Sequence, residues 1–294
     1  MLTFLLDPFK YEFFVRALLV ATVIGGLCGL VGTFVVLRRM SYIGHGLSHS
    51  VFGGAVISYL LGWNFYLGAG AWGVLSAVLI SWTARRRQIG ADAAIGIVTT
   101  AAFAIGVAII SKARRFTRNF DAALFGNVLG VQPEDVYVVL GVTVLVAVMI
   151  FLAYRQLLFM TFDPEVAPLY GVPDRGADAL LSLILAATVI ASIQILGVTM
   201  IAAIIVVPAV TARLLTDSFG RMVVLATVIG VVCGLVGLLL SYYLDVASGA
   251  TVVLTASTVF LLALIGTSIR RRVRSERARS HARLDRAQVS DLFD

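Results

Sequence analysis

Apolar runs of roughly twenty residues recur along this chain, a length that matches one bilayer crossing. The hydrocarbon core of a bilayer is about 30 Å thick and takes ~20 helical residues to cross. The runs are too long for barrel strands and lack period-two alternation, and in lipid only a helix satisfies its own backbone. The sequence therefore predicts an all-α fold, a polytopic transmembrane helical bundle of about eight or nine spans. The runs lie near residues 13–37, 42–61, 66–84, 93–111, 134–153, 178–195, 197–212, 221–243 and 250–269.

Composition and charge agree with a multi-pass protein of the plasma membrane. The 294 residues are 60% hydrophobic and 13% charged, whereas soluble domains carry about 25% charged residues. A net charge of +7 could indicate nucleic-acid binding, but the basic residues cluster at the ends of the apolar runs, which is the positive-inside pattern. We therefore expect membrane lipid, and no nucleic acid, as a partner.

The distribution of charge divides the chain into two parts. Residues 1–269 are predicted to form the transmembrane domain, and residues 270–294 a basic cytoplasmic tail that lies near anionic lipid headgroups. The start of the chain carries Asp7 and Glu12 and has no small-residue cleavage pattern. We expect the first run to remain in the mature protein.

Basic clusters at five loops predict the orientation. If all five face the cytoplasm, the N-terminus lies outside and the tail inside. A sixth group between residues 112 and 118 then falls on the outer side. Either 112–133 is an outer excursion with a short helix near 122–129, or the count is off by one crossing. The five inner clusters are Arg38 with Arg39, residues 85–87, Arg155 with Arg175, Arg213 with Arg221, and residues 270–272.

Two distant segments have nearly the same sequence. Residues 21–32 read ATVIGGLCGLVG and residues 226–237 read ATVIGVVCGLVG, so ten of twelve positions are identical. One interpretation is a duplicated half of inverted topology. The other, which we favour, is that two tightly packed helices use the same small residues. Cys28 and Cys233 lie within these segments, where a thiol usually packs as a small apolar group.

A histidine pair is the most informative motif. Two of the three histidines, His45 and His49, stand four residues apart, so a helix places both imidazoles on one face. Metal-binding side chains inside a span are costly and indicate a functional site. The alternative is that each ring packs as a polar aromatic group against a neighbouring helix. The small residues around the pair favour the metal site, because they let another backbone approach.

Two histidines leave a metal shell incomplete. Imidazole suits zinc and several first-row metals, while manganese prefers more oxygen ligands, and a structural zinc site has four ligands. A homodimer whose axis runs beside this helix would present four imidazole nitrogens to one ion. We expect no permanently bound cofactor.

The motifs for catalysis are missing from the sequence. A zincin protease needs glutamate after the first histidine of the pair, and Gly46 stands there. No GxxxxGK[ST] phosphate loop occurs. We predict no catalytic residues, and any ATP hydrolysis would have to lie in a separate partner.

Several blocks in order along the chain resemble the membrane permeases of the manganese, zinc and iron ABC importers, which work with a cluster-nine-type metal-binding protein. The resemblance covers residues 13–266, and its most specific block, residues 36–50, is similar to the family pattern VLRRMS, hydrophobic, GD, small, LSHA. It implies a transport subunit whose transported cargo is a divalent metal, manganese or zinc. It also implies a homodimer, two cytoplasmic ATPase subunits and an extracytoplasmic metal-binding protein. Further blocks lie at 92–97, 124–127, 133–135, 207–209 and 211–216.

The resemblance also assigns roles to single residues. In that family an Asp and a His four apart line the metal path, so it implies His45 and His49 as ligands; His49 matches the histidine, and His45 stands where the family has Asp. Imidazole in place of carboxylate shifts the site toward softer metals and removes negative charge. The sequence of the block 36–50 resembles the manganese branch of the family, which favours manganese as the metal, with zinc or iron as alternatives.

A segment at 155–175 resembles the family's ATPase-coupling segment. Asp163, Pro164 and Glu165 have the pattern of an N-cap, a first-position proline and an acidic first turn, and Gly171 would close the short helix. Asp163, Glu165 and Gly171 are the predicted coupling residues.

Two other classes of protein remain as alternatives. An ion-coupled secondary carrier normally needs buried carboxylates, and the middles of the runs contain none; Asp92, Asp163 and Asp245 lie near predicted ends. A scaffold protein would leave the histidine pair without a role.

Overall fold

The computed structural model describes residues 7–84, 91–113, 126, 130–163, 166–170 and 174–290. In these ranges the chain forms ten α-helices and two short 3-10 helices, Asp7–Lys10 and Ala167–Tyr170. The α-helices are α1 Glu12–Leu37, α2 Ser41–Leu61, α3 Phe65–Ala84, α4 Ala91–Ala113, α5 Pro133–Leu152, α6 Tyr154–Phe162, α7 Asp174–Leu196, α8 Val198–Leu215, α9 Phe219–Leu244 and α10 Ser248–Ser290.

The helices confirm the predicted polytopic membrane fold. Seven of them are long and apolar enough to cross a bilayer, and α3 adds a shorter apolar stretch, Phe65–Ile80. Helix α2 has 21 residues, about 31 Å at 1.5 Å per residue, which is long enough to cross although it carries histidines and serines. All nine predicted runs coincide with helices. The excursion expected at 112–133 and its short helix lie almost wholly outside the described residues.

Helices α1 and α9, which carry the two similar segments, cross backbone to backbone. A Cβ on Gly25 would overlap the carbonyl oxygen of Gly230, and a Cβ on Gly230 would overlap that of Gly25. Gly29 packs in the same way on Ala226, and Gly234 on Ala21. The two helices are therefore antiparallel, and their small residues permit the close approach, as is common in membranes.

Small residues also seat α2, the helix that carries the histidine pair. Gly54 lies against Trp72 and the carbonyl oxygen of Gly68 on α3, and Gly53 lies against the carbonyl oxygen of Ala102 on α4. Because no side chain separates these backbones, α3 and α4 fix the position of α2 in the bundle.

In the region predicted to couple to an ATPase, Asp163 lies between two short helices. Helix α6 ends at Phe162 with Asp163 as its C-cap residue. The carbonyl oxygen of Asp163 accepts hydrogen bonds from the backbone amides of Val166 and Ala167, and the 3-10 helix Ala167–Tyr170 follows. Asp163 is thus the C-cap residue of α6, and its carbonyl also accepts the first hydrogen bonds of the turn that follows, as that of an N-cap residue does.

Two further features concern α8 and α10. Pro208 lies inside α8, where its missing amide removes one helical hydrogen bond. Helix α10 continues without a break from its apolar span, Ser248–Arg270, to Ser290. The predicted basic tail is thus largely a helical extension of the last span.

Candidate metal-binding site

A tight turn before α2 sets the position of the histidines. Helix α1 ends at Leu37 with Arg38 as its C-cap residue, and Arg39 has a φ of 56°. The amide of Arg39 donates to the carbonyl of Val36 at 3.2 Å, and the amide of Met40 donates to that of Val35 at 2.9 Å. These two bonds form a Schellman motif, which usually has glycine at the left-handed position. Only Arg39 and Met40 separate the C-cap of α1 from α2, so His45 and His49 follow in its second and third turns.

The histidine rings stand next to each other, as the four-residue spacing predicts. Their centroids are 4.6 Å apart and their planes make an angle of 77°. His45 is exposed and His49 is half-buried. The pair therefore occupies one face of α2, with one ring open to the outside of the subunit.

Aromatic rings flank the pair on both sides. Phe103 of α4 lies 5.3 Å from His49 in an edge-to-face arrangement, and Tyr42 lies 6.2 Å from His45. Phe103 also contacts Phe52 at 5.2 Å. An edge-to-face neighbour limits the rotation of an imidazole, so His49 is the more firmly oriented of the two rings.

Gly46 lets α2 lie close to α4 between the two histidines. A Cβ at this position would lie 2.7 Å from Cγ2 of Ile95 and 2.7 Å from Cγ2 of Thr99. Gly44, on another face, has room: its Cβ would lie 3.9 Å from Cδ1 of Ile205. Ser48 is buried and donates its hydroxyl to the carbonyl of His45 at 2.7 Å, which satisfies the side chain within the helix.

The ligand count of one subunit falls short of a complete metal site. Across the part of the chain that the structure describes, no group of three or more His, Cys, Asp or Glu side chains could hold an ion. Two imidazoles supply half of a four-coordinate shell. The remaining ligands would come from water or from a second subunit.

The predicted coupling residues lie on a different part of the molecule. Asp163 is exposed after α6, while Glu165 and Gly171 lie outside the described residues. The sequence did not single out Phe103 or Tyr42 as neighbours of the histidines. Tyr42 could have been found from its position one turn before His45, but nothing in the apolar run of α4 distinguishes Phe103.

Comparisons with known proteins identify the family of the chain. The model of the ABC 3 transport family matches residues 10–267. The chain is 40% identical over 263 residues to the manganese transport system membrane protein MntC of Halalkalibacterium halodurans, which covers 89% of this chain and 90% of that protein. It is 34% identical over 261 residues to the chelated iron transport system membrane protein YfeC of Yersinia pestis, with 89% and 88% covered.

A solved structure has the same architecture. The structure of PsaBC from Streptococcus pneumoniae in complex with Fab contains a chain that superposes on this one with a TM-score of 0.82. The two chains are 33% identical, and the match covers 90% of this chain and 95% of that chain. The family match spans nearly the whole bundle, including α2 and its histidine pair. The chain therefore belongs to the ABC 3 transport family.

Proposed function

We propose that the chain is the permease subunit of an ATP-driven ABC importer, in which His45 and His49 bind a divalent metal on its way across the plasma membrane. The observation that carries the proposal is the adjacent pair of imidazoles on a helix that belongs to a metal-transport fold. Manganese is the favoured cargo, because MntC is named for manganese transport. Iron and zinc are alternatives, since YfeC is named for chelated iron and four imidazoles suit zinc.

A homodimer would complete the site. The exposed side of α4 supports this arrangement, because it carries small residues at four-residue intervals and a Cβ on Gly96 would meet nothing within 4 Å. Such a stripe lets two helices approach closely in a membrane. Its members are Gly96, Thr100, Ala104 and Ala108.

The other subunits follow from the family. Two cytoplasmic ATPase subunits would bind at the segment 155–175, with Asp163, Glu165 and Gly171 as coupling residues. An extracytoplasmic protein would deliver the metal. The closing of the ATPases on ATP would alternate the access of the histidine site between the two sides of the membrane.

A secondary carrier is the alternative, and the buried carboxylates weigh against it. Among the described residues Asp135 is the one buried acid. Its Oδ1 accepts from the Tyr66 hydroxyl and its Oδ2 from the Gln132 amide. A carboxylate held by two donors at a helix start is poorly placed to exchange a coupling ion.

Uptake and ATP hydrolysis by the reconstituted complex test the proposal. The permease and its ATPase partner would be placed in proteoliposomes and supplied with manganese, zinc or iron. We expect His45→Ala and His49→Ala each to lower metal uptake by at least about tenfold, since each removes half of the ligands of one subunit. His281→Ala is the matched control, because this third histidine lies in the basic tail.

The same preparation distinguishes the alternatives. Uptake without ATP, driven by a proton gradient, would support the carrier. Stimulation by an organic solute and by none of the three metals would overturn the proposal. Parental uptake in both alanine variants would place the metal site elsewhere.

A further inference from the structure

A long-range ion pair joins the end of α1 to the start of α7. Nη2 of Arg38 donates to Oδ1 of Asp178, 140 residues away in sequence. The Arg38 side chain is only 10% exposed, whereas Asp178 is 49% exposed. Nη1 of Arg38 is buried and has no hydrogen-bond partner among the described residues. Asp178 is thus the one anion paired with this nearly buried guanidinium in the described ranges, and its loss would leave an uncompensated charge.

Three aromatic rings make a second connection at the same turn of α1. The ring of Phe219 lies 5.6 Å from Phe34, at an interplanar angle of 69°. The same ring lies 5.6 Å from Phe162, at 88°. Phe34 is 1% exposed and precedes Arg38 by one helical turn. Phe162 is the last residue of α6, so the end of that helix packs on the end of α1 through Phe219.

Two points, one within the segment 155–175 and one just after it, are therefore linked to the same turn of α1. Phe162 lies within the segment, and Asp178 follows it in the first turns of α7. The histidine pair begins only seven residues after Arg38. The two Schellman hydrogen bonds hold Arg39 and Met40, the residues that connect the C-cap of α1 to α2. A displacement of the end of α1 would therefore also displace the start of α2.

We propose that the last turn of α1, through Phe34 and Arg38, transmits the movement of the segment 155–175 to the helix that carries His45 and His49. The proposal rests on the proposed function, because it assumes that an ATPase moves this segment. Arg38 and Asp178 act as positioning residues that link two moving parts, and neither binds the metal. The coupling between two sites is expressed as a free energy. The ion pair would contribute part of the coupling free energy between the segment 155–175 and the histidine site.

The ratio of manganese ions taken up to ATP hydrolysed measures the transmission. We expect Asp178→Asn in the reconstituted complex to keep ATP hydrolysis while this ratio falls by about tenfold, within the usual range of coupling between sites. Asp178→Glu keeps a carboxylate and should restore most of the ratio. Phe219→Ala, which breaks the aromatic connection, should lower the ratio as well.

Arg16→Gln is the matched control on the same helix. It breaks the ion pair of Arg16 with Glu12, whose Nη2 and Oε1 are 3.4 Å apart near the other end of α1, and Glu12 is 86% exposed. We expect this variant to keep the parental ratio.

The possible results separate the two proposals. If the parent complex takes up no manganese, zinc or iron, the proposed function fails. If the parent transports manganese and Asp178→Asn has an unchanged ratio, only the transmission role fails. An equal fall of uptake and hydrolysis, with the ratio preserved, would assign Arg38 and Asp178 a purely structural role and overturn the inference.

Discussion

The hydroxyl of Tyr66 donates a hydrogen bond of 2.6 Å to Oδ1 of Asp135 and so joins the first turns of α3 and α5. Oδ2 of the same carboxylate accepts from the amide of Gln132 at 2.8 Å, which forms a capping box at the start of α5. Asp135 is 7% exposed, so both of its oxygens are satisfied inside the protein. One buried carboxylate thereby stabilises a helix start and a contact between two helices.

Tyr66→Phe should destabilise the protein by about 2 kcal/mol, because it removes a hydrogen bond to a charged group. Thermal unfolding of the purified protein in detergent measures the change. Tyr137→Phe is the control, since Tyr137 is 76% exposed on α5. The hydrogen bond would be unimportant if the two variants unfolded at the same temperature.

Gly25→Ala should destabilise the fold by about 1–3 kcal/mol, because the added methyl group overlaps the backbone of α9 and forces the two helices apart. The expected sign is opposite to the usual gain from replacing a helical glycine with alanine. Gly141→Ala provides the comparison: it lies in α5, and a Cβ there meets nothing within 4 Å. Equal melting temperatures for the two variants would contradict the close crossing of α1 and α9.

Gly46→Ala should impair metal transport more than it impairs folding. Its Cβ would press on Ile95 and Thr99 of α4 and shift α2 by several tenths of an ångström at the level of the histidines, and overpacking of this kind costs about 1–3 kcal/mol. Gly44→Ala is the neighbouring control, since its Cβ makes an ordinary contact with Ile205. Manganese uptake by proteoliposomes would distinguish the two variants, and similar uptake by both would mean that the separation of α2 and α4 does not affect the site.

His45→Asp should shift the preference of the importer toward manganese. A carboxylate is a harder ligand than imidazole and adds negative charge to a site that holds a dication. We expect the ratio of manganese uptake to zinc uptake to rise by about tenfold, or ~1.4 kcal/mol in relative affinity. Competition between the two ions in the same vesicles measures the ratio. An unchanged ratio would indicate that His45 is not a ligand.

The membrane fold could be predicted from local sequence because hydropathy and length alone specify a transmembrane helix. All nine apolar runs became helices for that reason. The histidine pair was also predictable, since i,i+4 neighbours share a face whatever surrounds the helix. Both properties depend on residues that are close together in the chain.

Contacts between distant residues could not be predicted in this way. Arg38 belongs to a basic cluster that indicated only topology, and its pairing with Asp178 depends on how α1 and α7 pack. Phe219 is likewise one apolar residue among many until α6 and α1 are brought against it. Asp163 was predicted to begin a helix because its neighbours Pro164 and Glu165 fit an N-terminal pattern. The helical tendency of the residues before it also makes it the C-cap residue of α6, which the pattern after Asp163 does not indicate.

The crossing of α1 and α9 has a further property that follows from its register. Gly25 meets Gly230, its counterpart in the similar segment, while Gly29 meets Ala226 and Gly234 meets Ala21. A half-turn about an axis through the Gly25–Gly230 contact exchanges the two segments and preserves these contacts. This is the isologous symmetry by which two identical subunits form a C2 dimer, contained here within one chain. Alanine at Gly25 and alanine at Gly230 therefore meet equivalent backbone neighbours, and so do alanines at Gly29 and Gly234.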